Sequence, residues 1–212
     1  ELQDTSIAEM NAVSAYRQKI AVGSVNATYE SFVKPVLDRC LHEAEDVAVK
    51  VVIGHSMNLI QMLQDNVLDM AFSSIPLKRA GFECMEYDTD RLALVIGKGY
   101  NRYKGGVDEE GLKNMSYLMC DFLSEIGEFI RSLFPADHVF KLEVDNSSKL
   151  LPYLEEGLGH SFMPYKMVKE KIEEGVLEEV PLIGFKSLKV ITYLIYRQNY
   201  DPMTFLKYAP KN

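Results

Sequence analysis

"YLEEGLGHSFMPY", residues Tyr153 to Tyr165, holds two glycines around a leucine, then a histidine and a Met-Pro pair. Two readings compete for it. A dinucleotide-binding loop needs Gly-x-Gly-x-x-Gly directly after a strand and at the opening of a helix. Here "SSKLLPYLEEG" reads as helix before the glycines and "HSFMP" as strand after them, the opposite order. Position 162 is Phe162, where that loop would need glycine. Gly157 is therefore expected to cap a helix C-terminus, and Gly159 to start the next strand. The stretch marks a helix-to-strand junction and carries no phosphate loop.

Outward from this junction the same alternation continues. Downstream, "YKMVKEKIEEG" is an amphipathic helix, "VLEEVPL" an edge strand and "KVITYLIYR" (Lys189 to Arg197) a long strand, before a short helix from Met203 to Tyr208. Upstream, "VFKLEV" and "MSYLMC" read as strands, with a helix over "SEIGEFIRSLF" between them. "RLALVIG" (Arg91 to Gly97) is a strand, followed by the turn residues of "KGYNRYKGG". Near the start, "KIAVGSV", "VAVKVVIG" and "VLDMAFSS" are strands. Between the first two, Tyr29, Phe32, Val33, Val36, Leu37, Cys40 and Leu41 form an apolar helical stripe. Asn26 or Thr28 is expected to cap it, and Pro35 is tolerable only in its first turn. Ser56 is expected to cap the helix over "MNLIQMLQDN", and Asn66 to end it in the left-handed conformation. This β-α-β-α-β order predicts a parallel α/β sheet with right-handed crossovers. Two Rossmann-like lobes joined by two crossover strands follow: residues 17–90 with 197–212, and residues 91–196. Residues 1–16 read as the end of a linker helix.

The 212 residues carry 23 basic and 31 acidic side chains, a net charge of -8. An acidic surface repels phosphate backbones, so this chain is a poor nucleic-acid binder by itself. Cys40, Cys84 and Cys120 lie far apart and form no disulfide framework, as expected for reduced thiols. No apolar run approaches the ~20 residues that span a bilayer. "ELQDTSIAEMNAV" lacks the basic and apolar regions of a signal peptide. The absent initiator Met predicts that the chain is cut from something longer. His42, His55, His138 and His160 are scattered, no metal spacing occurs, and no cofactor is expected. There is no Gly-x-Ser-x-Gly elbow, and Ser73-Ser74 and Ser147-Ser148 lack a triad context.

What remains is polar residues at the carboxyl ends of strands, where open parallel sheets bind ligands. Asn26, Ala27 and Thr28 follow the first strand; His55, Ser56 and Met57 the second; Ser73, Ser74, Ile75 and Pro76 the third. In the second lobe, Asp121, Phe122, Leu123 and Ser124 follow one strand, Asp145, Asn146 and Ser147 the next, and Met163 and Pro164 belong to a third. Helix N-termini there offer N–H groups to an anion. N-capping alone is the competing role for each Ser, Thr and Asn.

From Lys19 to Ala209 the chain resembles the effector-binding domain of LysR-type transcriptional regulators, a type 2 periplasmic-binding-protein fold. The resemblance rests, in order, on "KIAVGSV" with "FVKPVLDRC", on "VVIGHSMNLIQMLQDNVLDMAFSSIP", on "LALVIGKGY", on "VDNSSKLLPYLEEGLGHSFMPYKMV" and on "EEGVLEEVPL". Asn66 departs from it, standing where the family usually has glycine, as does Pro152 within a helix. The resemblance implies a sensor of a small metabolite, an organic anion or aromatic molecule, in an interlobe cleft. Effector-binding residues would be Asn26, Ala27, Thr28, His55, Ser56, Ser73, Ser74 and Pro76 from the first lobe. Phe122, Ser124 and Asn146 would add to them from the second, with Met163 and Pro164 as the wall. It further implies a cytoplasmic homodimer, or a tetramer at full length, and DNA binding only through an absent N-terminal winged helix-turn-helix. No membrane partner and no catalysis are implied. A transporter's solute receptor and an enzyme on the same scaffold are the alternatives; the first needs a leader or anchor upstream, the second a paired acid and base.

Overall fold

The computed structural model describes residues 16–121 and 125–210; the linker helix expected over residues 1–16 lies outside them except for Tyr16, which is not helical. In chain order the first elements are β1 (Gln18–Ser24), the helical run α1, β2 (Val47–Ile53), α2 (Ser56–Gln64), β3 (Met70–Ser73) and β4 (Phe82–Gly97). Then come α3 (Glu109–Lys113), β5 (Met119–Cys120), α4 (Glu125–Ser132) and β6 (Glu143–Val144). They are followed by α5, β7 (Ser161–Pro164), α6 (Tyr165–Glu173), β8 (Leu177–Glu179), β9 (Lys189–Arg197) and α7 (Met203–Leu206). The run α1 joins Asn26–Thr28, a wide π turn over Tyr29–Val33, and Lys34–Glu43. The run α5 is a tight 3-10 turn, Ser147–Leu150, continued by Leu151–Glu155. Two compact units divide the chain: residues up to Met85 with those from Tyr193, and Glu86–Thr192. β4 and β9 are the crossover strands that run from one unit into the other.

In the first unit β1 pairs in parallel with β2 and β3, and β9 runs antiparallel to β3. Ile20 and Val22 of β1 are fully buried, and Leu59, Leu63, Leu68, Ala71 and Ile195 pack a core under α2. β3 begins three residues later than its apolar run predicts. Asn66 takes the expected left-handed conformation, φ 60°. The N–H groups of Val67 and Leu68 then turn back to the Met62 carbonyl, which keeps them out of the sheet.

Both expected caps of α1 fail. Val25 holds the capping position without a side-chain bond, and Asn26 and Thr28 already lie inside the helix. Pro35 therefore lies inside the helical run, though in the first turn of its Lys34–Glu43 segment. The π turn explains how it is accommodated. Lys34 N donates to Tyr29 O, five residues back, and the wider turn leaves room for a ring that has no N–H and would clash in a regular helix. Val33, Val36 and Cys40 are buried from the predicted stripe, whereas Leu41 is 60% exposed. Ser56 does not cap α2 either; His55 holds that position and Ser56 is the first helical residue.

In the second unit the Leu92–Gly97 half of β4 is buried and pairs antiparallel with β7 and β8. β5 and β6 form a separate parallel pair. Both are shorter than the runs "MSYLMC" and "VFKLEV" predict; ahead of β5, residues 116–118 are held instead by a single bridge, Tyr117 opposite His160. α3 was not anticipated; Asp108 caps it by accepting from Gly111 N at 2.8 Å. Gly157, φ 73°, ends α5 as expected, but the strand after it starts at Ser161 and not at Gly159. Pro152 is accommodated where the 3-10 turn gives way to α-helix, near the start of that segment.

Candidate functional site

At the carboxyl edge of the first unit, β1 ends in Ser24, fully buried, whose hydroxyl donates to Val25 O at 2.9 Å. Val25 N donates to Phe72 O of β3, which draws the two strand ends together. α1 opens there with Asn26, Ala27 and Thr28. A helix's first turn has no intrahelical partners for its N–H groups. The amide nitrogen of Asn26 is buried with no hydrogen-bond partner among the described residues, and Thr28 is 5% exposed. An unpaired buried donor is costly, so an acceptor brought to Nδ2 gains the full value of the bond.

Ser56 and Ser74 meet at this edge. Ser56 Oγ accepts from Ser74 N at 2.9 Å, and the two hydroxyls share a bond of 2.8 Å. Ser56 is 8% exposed. Ser73 is fully buried and engaged with Ile75 on both sides, donating to its carbonyl at 2.7 Å and accepting from its N–H at 3.1 Å. His55 is half-buried and Pro76 exposed. The predicted residues of this edge are thus hydroxyl, amide and imidazole groups, without lysine, arginine or carboxylate among them.

In the second unit, Phe122, Leu123 and Ser124 lie outside the described residues. Asn146 spends its carbonyl oxygen on capping α5, accepting from Ser148 N at 3.1 Å and Ser148 Oγ at 2.8 Å. Ser147 is buried, its hydroxyl 3.8 Å from the Met167 sulfur. Met163 is fully buried in the apolar cluster with Ala93, Leu118 and Leu154, so its side chain is core. Pro164 is buried and precedes α6. Sequence reasoning missed Arg131, which pairs with Asp121 at 3.3 Å and with Glu143, tying α4 to the ends of β5 and β6. A basic residue beside the apolar Ile130 reads as the solvated face of a helix and gives no sign of those partners. Ser24 was missed as well, because a single serine at a strand end looks like a turn residue.

Cys40 and Cys120 are buried thiols and Cys84 is half-buried. Burial pushes the Cys120 thiol up to about 12, helped by the charges of Asp121 and Asp145. No cluster of His, Cys, Asp or Glu suited to a metal ion occurs among the described residues, and no helix among them is long and apolar enough to cross a membrane.

The description of the LysR substrate binding domain matches residues 14–204. The Escherichia coli K12 "Uncharacterized HTH-type transcriptional regulator YeiE" is 20% identical over 180 residues, which cover 82% of this chain and 61% of that protein. The chain thus matches less than two thirds of that relative's length. The Synechocystis PCC6803 CcmR regulatory domain in complex with 2-PG superposes with a TM-score of 0.71 at 14% identity, covering 91% of this chain and 95% of that one. The reduced OxyR regulatory domain of Pseudomonas aeruginosa gives 0.70 at 15% identity, covering 90% and 92%. These likenesses show the type 2 periplasmic-binding-protein fold, two Rossmann-like lobes with two crossover strands.

Proposed function

The chain belongs to the LysR substrate binding domain family, and on that premise we propose that it is the effector-binding and dimerisation domain of a LysR-type transcriptional regulator. It senses a small molecule and performs no catalysis. The observation that carries this reading is the edge of the first unit, where the Ser56–Ser74 hydroxyl pair and the unpartnered Asn26 amide converge on strand ends. Such groups, with the N–H groups opening α1, suit an oxygen-rich effector: a small organic anion or a neutral acceptor. Thr28, Ser56 and Ser74 supply hydrogen bonds from the first unit.

Effector binding biases one of two conformations of a dimer, and DNA recognition belongs to a helix-turn-helix domain of the full-length protein. The acidic balance of this chain supports that division of labour. A regulator of this kind works in the cytoplasm as a homodimer or tetramer. The test is a binding titration with 2-phosphoglycolate and benzoate as probes, on the native chain and on a Thr28→Val, Ser56→Ala, Ser74→Ala variant. Loss of at least about tenfold in affinity is expected, at roughly 1 kcal/mol for each hydrogen bond removed. Full affinity in the triple variant overturns the site.

A further inference from the structure

His160 lies at a tight junction of the second unit and is 6% exposed. Its backbone forms the bridge opposite Tyr117: His160 N donates to Ser116 O at 2.8 Å, and Leu118 N donates to His160 O at 2.8 Å, with Phe162 N donating to Tyr117 Oη at 2.9 Å and Ser116 Oγ to Leu158 O at 3.2 Å on either side. The ring bonds to the same segment. Its Nδ1 stands 3.2 Å from Ser116 O, and since a carbonyl only accepts, Nδ1 carries the proton. Nε2 is then a buried lone pair, with no hydrogen-bond partner among the described residues. The junction has little slack. A Cβ added at neighbouring Gly159 would meet Leu118 Cγ at 2.7 Å and Ser116 O at 3.1 Å.

We propose that His160 is a proton-operated latch: protonation at its buried Nε2 in mildly acid solution releases residues 116–118 from the start of β7 and loosens β5, into which they lead. The added proton creates an N–H with no acceptor and places a positive charge in an apolar site, both costly. Exposing the ring to water removes both costs, and the segment bonded to it opens. Two groups face the ring. Tyr103, from the loop after β4, packs against it at 5.5 Å between centroids in a T-shaped pair, and Ser116 presents its carbonyl. No charged side chain acts on its titration among the described residues; burial lowers it and the Ser116 bond partly restores it. The direction of the pH effect follows. Above the ordinary value of 6.5 the ring is neutral folded or unfolded, and stability is untouched. As pH falls below 6.5 the unfolded or opened state takes up the proton first. The closed state is lost by up to about tenfold per pH unit until the lowered folded value is passed.

The test is made on this chain and does not depend on any effector. An NMR titration of the His160 ring is expected to give a midpoint below 6.5, with the proton on Nδ1 in the neutral form. Hydrogen-exchange protection of the Leu118 and His160 amides is expected to fall between pH 7 and pH 5, by at most about thirtyfold, and to stay constant in His160→Gln. A ring midpoint at or above 6.5 overturns the latch, as does an equal loss of protection in the variant. Should His160→Gln not fold, the ring titration of the native chain decides alone.

Discussion

Ser56 gives one oxygen to two bonds, accepting from Ser74 N and sharing a proton with Ser74 Oγ. Ser56→Ala leaves a half-buried N–H and hydroxyl of Ser74 with one partner fewer. The expected cost is about 1–2 kcal/mol in urea denaturation, with the fold retained. Asp69, half-buried, does comparable work in the first unit: Oδ2 accepts from Ala21 N at 2.7 Å, and Oδ1 lies 3.5 Å from the Arg197 guanidinium. Asp69→Ala is expected to cost about 1.5–3 kcal/mol, because the lost bond is charge-assisted. The thiol of Cys120 gives a pH prediction. Held up at about 12, against an ordinary 9.0, it stays protonated in the fold while an unfolded thiol ionises. Its contribution is therefore complete below pH 9 and lost as pH rises toward 12. Alkylation of Cys120 by iodoacetamide near pH 8 should be negligible until the chain is unfolded; rapid labelling of the native chain would contradict this. At this scale the sequence named the polar residues but not their partners. It grouped Ser73 with Ser74, yet only the structure distinguishes them: one serine closes its own turn with Ile75, while its neighbour faces Ser56. Periodicity and spacing hold no information on which hydroxyl turns inward.

Elements were legible where apolar pattern and pairing coincide. β9 matches its predicted span of Lys189 to Arg197, because one continuous β-branched and aromatic run is also one continuous strand. β4 was seen only from Arg91, although it starts at Phe82; "FECMEYDTD" carries too many charges to read as strand, and a crossover strand need not be buried along its length. α1 shows the limit of capping rules. Asn26 and Thr28 look like caps, but the helix starts earlier, and the π turn over Tyr29–Val33 takes up the irregularity that Pro35 imposes. Because that turn already relieves the ring, Pro35→Ala should stabilise by less than about 1 kcal/mol. A gain near the ~3 kcal/mol of a proline in a regular helix would show that the strain persists. At the end of α2, Asn66 at φ 60° tolerates glycine, whereas Asn66→Val should cost about 1–2 kcal/mol, read from the same urea midpoints.

The whole chain was legible as two α/β lobes because strand and helix signals alternate through it, and because Gly157 and Gly159 stand in the wrong order for a phosphate loop. The sequence named the strand-end residues of the proposed site only as a set. The sequence placed Met163 among the site residues, and its burial in the core shows that a residue beside a strand end can point away from it. Net charge acts at this scale too. At -8, the chain is expected to leave duplex DNA unshifted on a gel at physiological salt, and a shift would show DNA contacts on this chain. The most direct test of the sensing role is an amide-resolved NMR titration of the native chain with 2-phosphoglycolate and benzoate. Saturable shifts centred on Asn26, Ala27, Thr28, Ser56 and Ser74 are expected. Saturable shifts centred on any other surface, with these amides unmoved, would contradict that role.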